Sequence, residues 1–133
     1  MTHLYIDSSA VIKLVVAEEE TPALRSFLQG SNPWSQPVSL VSSRLTAIEV
    51  VRAARRLGPE FVSVAHHALR TLAMITMSRE ITERAGDFPP AELRTLDAIH
   101  CASAKKSGLG VLAYDRRLCE AARRAGLDTF SPE

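Results

Sequence analysis

Two cysteines, Cys101 and Cys119, are too few to staple a chain of 133 residues, and neither stands in a CxxC pair or other zinc-ligand spacing. A reducing cytoplasm is the expected home. Long apolar runs are also missing, so no segment is expected to span a bilayer. No Lys or Arg precedes the apolar part of residues 1 to 20, and Asp7 and Lys13 interrupt it, which is not the pattern of an export signal. Neither charge sign dominates: 16 Lys and Arg face 15 Asp and Glu, for a formal net charge of +1. That balance leaves room for a bipolar surface, with acids gathered at one place and arginines around them. Repeats, low-complexity tracts and linkers are absent.

What remains is ordinary globular material, 46% apolar and 23% charged. A single domain over residues 1–133 is expected, burying roughly two-thirds of its unfolded surface. Along the chain, strand-like and helix-like stretches alternate. His3 to Asp7 reads as a strand, Ser9 to Ala17 as a short helix, and Glu20 to Leu28 as a second helix opened by Thr21-Pro22 and stopped by Gly30. Ser31 to Pro37 is a loop around Trp34, which serves packing or base stacking. Val38 to Ser42 is a second strand. Leu45 to Leu57 and Glu60 to Leu72 form a helical hairpin broken at Gly58-Pro59, followed by a third strand at Ala73 to Thr76 and a helix at Ser78 to Ala85. After a break at Gly86 to Pro90, an Ala-rich helix runs from Ala91 to Ser107 and closes at Gly108. Val111 to Asp115 repeats the opening strand, Arg117 to Ala125 is a helix, and Asp128 to Ser131 a last edge strand. Strands separated by helices predict a parallel sheet covered on both faces.

Most acids need no special role. Glu18, Glu19 and Glu20 read as solvated surface, and Glu60, Glu80, Glu83, Glu92 and Glu120 fall on helix starts or polar faces. Asp7 and Asp115 differ because each closes a strand, and parallel strands bring their carboxyl ends to the edge where such sheets bind ligands. Asp7, followed by Ser8, is equally a natural helix cap. At about 100° per residue, Asp97 shares the inward face of its helix with Leu93, His100, Cys101 and Ala104. A buried carboxylate must be protonated, paired or metal-bound, and Arg94 is the neighbour that would pair it. Glu49 lies on the border of its helix beside Leu45, Arg52 and Arg56, where an ion pair with Arg52 competes with a catalytic role.

Together these residues carry a resemblance. Asp7-Ser8-Ser9-Ala10 after a strand, Ser43 to Arg56 with its central Glu49, Leu96-Asp97-Ala98-Ile99-His100 opening an Ala-rich helix, and Tyr114-Asp115-Arg116-Arg117-Leu118 resemble the PIN-domain ribonucleases. More narrowly, the chain resembles the VapC-type toxins of type II toxin-antitoxin pairs, over nearly its whole length. The resemblance implies a three-layer α/β/α fold with a central, mostly parallel sheet of four to five strands. It also implies an acidic pocket of Asp7, Glu49, Asp97 and Asp115 holding Mg²⁺, with Mn²⁺ as the alternative. One position departs: where family members often carry Thr or Ser two residues before the last acid, this chain has Ala113, leaving Ser8 or Ser9 to supply a hydroxyl.

Clustered carboxylates repel until a hard divalent cation neutralises them, and such a cation activates water against a phosphodiester. The expected activity is a metal-dependent endoribonuclease on structured RNA, tRNA or rRNA, with Asp7 and Asp97 as principal ligands and Glu49 and Asp115 completing the set. The implied products carry 5′-phosphate and 3′-hydroxyl ends. Arg52 and Arg56 on the helix face of Glu49, and Arg116 and Arg117 beside Asp115, are the candidate RNA contacts. His66, His67 and His100 are read as packing or surface residues. Implied partners are a VapB-type antitoxin whose tail enters the groove, a second copy in a homodimer, and promoter DNA through the antitoxin complex. Helices Ser9 to Leu28 and Leu45 to Leu72 are the candidate contact elements. The alternative is a catalytically weak PIN domain acting as an RNA-binding or regulatory module. A receiver domain fits poorly, lacking adjacent acids after the first strand and a Lys at position 115, and a haloacid-dehalogenase-like phosphatase would need Asp where Ser9 stands.

Overall fold

The computed structural model describes residues 2–133. Five parallel strands, β1 (Thr2–Ile6), β2 (Val38–Ser43), β3 (Ala73–Ile75), β4 (Gly110–Leu112) and β5 (Thr129–Phe130), lie in the order β3-β2-β1-β4-β5. The expected sheet is therefore found, with every strand parallel. Its helices are α1 (Ser8–Val15), α2 (Thr21–Gln29), α3 (Arg44–Leu57), α4 (Pro59–Arg70), α5 (Arg79–Gly86), α6 (Thr95–Ser107) and α7 (Arg116–Arg124).

Strand alternation builds the layers. Leu4, Ile6 and Leu112 point into one apolar core with residues of α1 to α4, among them Ala10, Val11, Leu24, Val50 and Leu69. Tyr5, Val111 and Ala113, the intervening residues, point into a second core with Cys101, Ala104, Leu118 and Ala122 of α6 and α7. Both faces of the sheet are thus covered, as a parallel sheet requires. The chain builds outward from β1 through β2 to β3, then returns to β4 on the other side. The strand order reverses between β1 and β4, paired at Ile6 and Leu112, and a crevice opens beyond their carboxyl ends.

Boundaries shift in instructive ways. β1 ends at Ile6 and β4 at Leu112, so Asp7 and Asp115 stand just past their strands as the N-caps of α1 and α7. Capping and a place at the sheet edge are one arrangement here. α6 begins at Thr95 rather than Ala91, because Arg94 is extended (φ −61°, ψ 144°) and Leu93 turns into the second core. Favourable Ala and Leu propensity gives way to that tertiary contact.

Candidate active site at the carboxyl edge of the sheet

Asp7 leaves β1 in an extended conformation and is 3% exposed. Its Oδ1 accepts from the Ala10 amide at 3.2 Å and from Ser9 Oγ at 2.7 Å. Burial pushes the carboxyl from 3.8 up to about 6, against the lowering effect of the Ser9 hydrogen bond. Ser9 Oγ in turn accepts from the Tyr114 amide at 2.9 Å, tying the ends of β1 and β4 together. Ala113, two residues before Asp115, is fully buried in the second core.

Asp115 caps α7, its Oδ1 accepting from the amides of Arg117 at 2.9 Å and Leu118 at 3.2 Å. Asp97, in the first turn of α6, is 4% exposed. Arg94 donates to both its oxygens, Nε to Oδ2 at 3.0 Å and Nη2 to Oδ1 at 3.4 Å, and the same Nη2 donates to Asp115 Oδ2 at 3.2 Å. The Arg94 pairing anticipated for Asp97 is present, and it reaches further, placing one guanidinium between two acids.

Glu49 pairs differently from its expected local partner. Its Oε1 lies 2.8 Å from His100 Nε2, and His100 Nδ1 lies 2.7 Å from the Tyr5 hydroxyl. Tyr5 donates to Ser43 Oγ at 2.9 Å, completing a buried chain from the cavity wall into the sheet.

A cavity of about 700 Å³ at this edge is lined by Asp7, Glu49, Asp115, Arg52, Arg56 and Lys13, among others. Three of the four expected acids and two of the four expected arginines therefore line one cavity. Asp97 faces a neighbouring cavity of about 220 Å³ with Arg94 and Arg117, and joins the first through the Arg94 bridge to Asp115. Arg116 is exposed and lines neither.

Two residues escaped sequence reasoning. Lys13 is buried, with its ammonium 2.7 Å from Glu20 Oε2, 3.7 Å from Glu18 Oε2 and 4.7 Å from the Tyr114 ring centre. Glu18 and Glu20 are thus partners of a buried cation, not merely solvated; the signal was a lysine inside an apolar helix run. His100 is the second, 3% exposed and bonded at both ring nitrogens rather than simply packed. His66 and His67 are exposed on α4, and Trp34 packs edge-on against Phe27 and Phe130.

Among the described residues, no three Asp, Glu, His or Cys side chains are arranged as they stand to hold a metal ion. The donors at this edge are nevertheless carboxylate oxygens, the type that hard divalent cations take. Arg94 is a stand-in: the space between Asp97 and Asp115 already holds a positive group. The donor set fits such a cation in kind.

The PIN domain family model matches residues 4–124. The chain is 39% identical to Ribonuclease VapC46 of Mycobacterium tuberculosis, over 99% of each chain. Among solved structures it resembles the sarcin-ricin loop cleaving toxin VapC20 of Mycobacterium tuberculosis, with a TM-score of 0.74, 18% identity and coverage of 97% of this chain and 99% of the other. It likewise resembles a chain of the DNA-bound VapBC from Salmonella typhimurium, with a TM-score of 0.70 and 18% identity over 98% of each.

Proposed function

The chain belongs to the PIN-domain family, among the VapC ribonucleases, and from that premise we propose that it is a metal-dependent endoribonuclease toxin acting on structured RNA. The observation that carries the reading is that Asp7, Glu49 and Asp115 line one cavity, with Asp97 joined to Asp115 through Arg94. Asp7 and Asp97 would be the principal ligands of Mg²⁺ or Mn²⁺, and Glu49 and Asp115 would complete the set, through water or a second ion. A divalent cation bound there supplies a water of lowered pKa and countercharge for the leaving oxygen.

The chain's own residues do the rest. Arg52 and Arg56 bind phosphates along the cavity and hold the strand to be cut, while Arg116 and Arg117 extend the basic rim past Asp115. Ser9 fixes the Asp7 carboxylate against the end of β4. Arg94 offsets part of the negative charge of Asp97 and Asp115.

Structured RNA, tRNA or rRNA, is the proposed substrate, and the described target of VapC20 supports that class. The proposed partner is a VapB-type antitoxin, supported by the likeness to a VapBC chain, with promoter DNA reached through the complex. A homodimer acting in the cytoplasm completes the proposal; no helix among the described residues is long and apolar enough to cross a membrane.

Incubation with a mixed tRNA and rRNA pool tests it. Discrete cuts are expected with Mg²⁺ or Mn²⁺, with none in EDTA and none from Asp97→Asn. Folded, antitoxin-free, metal-bound protein that leaves the pool intact would favour the regulatory RNA-binding module instead.

A further inference from the structure

We infer that His100 is a positioning residue, holding the Glu49 carboxylate at the cavity wall by anchoring it to the buried Tyr5 and Ser43 hydroxyls. The inference rests on the ribonuclease reading above. Glu49 projects from the middle of α3 on a flexible side chain, between exposed Ile48 and buried Val50. Without a partner its carboxylate would spread over several rotamers. The His100 ring limits that freedom from behind: Nε2 meets Glu49 Oε1 at 2.8 Å, Nδ1 meets the Tyr5 hydroxyl at 2.7 Å, and the two rings pack edge-on at 5.7 Å.

The proton arrangement supports this direction of control. A carboxylate only accepts, so Nε2 carries the hydrogen; Nδ1 either donates to a Tyr5 hydroxyl that donates on to Ser43 Oγ, or accepts the Tyr5 hydrogen while Ser43 Oγ donates to the phenol. With both nitrogens engaged and the ring 3% exposed, His100 has no free nitrogen for RNA or metal. Its placement also joins the acid-bearing elements. Tyr5 stands two residues before Asp7 on the β1 side, and Asp97 stands one helical turn before His100 on α6. One imidazole thus sets the register of Glu49 against the elements that carry Asp7 and Asp97. Outer partners of this kind orient ligands through their second hydrogen bond.

A double-mutant cycle on the full chain tests it, with His100→Leu, His100→Gln, Glu49→Gln and the His100→Leu/Glu49→Gln pair. Two readouts are taken: RNA cleavage with Mg²⁺, split into kcat and KM, and Mn²⁺ affinity by electron paramagnetic resonance without RNA. His100→Leu is expected to lower kcat about 10- to 100-fold with KM within about twofold, and to weaken Mn²⁺ binding. His100→Gln, which can still donate to Glu49, should recover most of both. In the Glu49→Gln background, His100→Leu should add less than about twofold, because the group it positions is already gone. Equal loss in both backgrounds, or a Gln variant as impaired as Leu, would overturn the inference. If wild-type protein binds Mn²⁺ but cuts no RNA, the ribonuclease reading fails, while the Mn²⁺ cycle still decides the role of His100. Should the Leu variant fail to fold, His100→Gln against Tyr5→Phe supplies the same comparison, with Tyr5→Phe weakening Mn²⁺ binding only where Glu49 is intact.

Discussion

A carboxyl group taken out of water keeps its proton to higher pH, and Asp7 is such a group, raised from 3.8 to about 6 chiefly by burial. The folded state then binds this proton more tightly than the unfolded chain does. Its contribution to stability is therefore complete below about pH 4 and is lost as pH rises through about 6, a change of up to ~3 kcal/mol. Asp7→Asn should remove that slope and raise the Tm of EDTA-treated protein at pH 7, while changing little at pH 4; thermal unfolding across this range measures it. Unaltered slopes would refute the burial argument. Arg94 offers a second test at this scale. Replacing it by Gln removes the cation that competes for Asp97 and Asp115, and Mn²⁺ affinity should rise about threefold to tenfold in a calorimetric titration. Weaker binding would show that Arg94 assists the site. Local contacts were legible in the sequence: Arg94 and Asp97 are only three residues apart, one just before α6 and the other in its first turn. The bonds from Arg94 to Asp115, 21 residues on, and from Glu49 to His100, 51 residues on, were not, because the fold alone brings those groups together.

At the scale of elements, α3 and α6 carry the contrast between what pattern reveals and what packing decides. The inward placement of Asp97, His100, Cys101 and Ala104 followed from helical spacing, and all four are buried. The start of α6 did not, since composition favours helix from Ala91 whereas Leu93 packs into the second core before the helix begins. α3 shows the same limit. Its face with Glu49, Arg52 and Arg56 was legible, and all three line the cavity, but the choice of His100 over Arg52 as partner depends on α6 lying opposite. Near the start of α3, Thr46 Oγ1 is buried close to the Tyr5 hydroxyl but makes no hydrogen bond of normal geometry among the described residues. An unpaired buried hydroxyl contributes nothing to offset its lost hydration. Thr46→Val, close in shape, should stabilise the protein by up to ~1 kcal/mol in a denaturant titration. A loss of that size would mean that the hydroxyl is satisfied.

At the scale of the molecule, function follows from where strand order reverses. The alternation of strands and helices made a covered parallel sheet legible, and the acids after β1 and β4 pointed to its carboxyl edge. The order β3-β2-β1-β4-β5 was not legible, because pairing depends on which apolar faces meet in space. That order makes β1 and β4 neighbours, so Asp7 and Asp115 flank one crevice while two cores hold the sheet rigid beneath them. On the function proposed above, this crevice cuts RNA with a cation-activated water rather than with the RNA's own 2′-hydroxyl. The most direct measurement is cleavage in ¹⁸O-labelled water with Mg²⁺, followed by mass spectrometry of the product ends. One ¹⁸O in each new 5′-phosphate, opposite a 3′-hydroxyl, is the expected result. Unlabelled 2′,3′-cyclic phosphates with 5′-hydroxyl ends would contradict it.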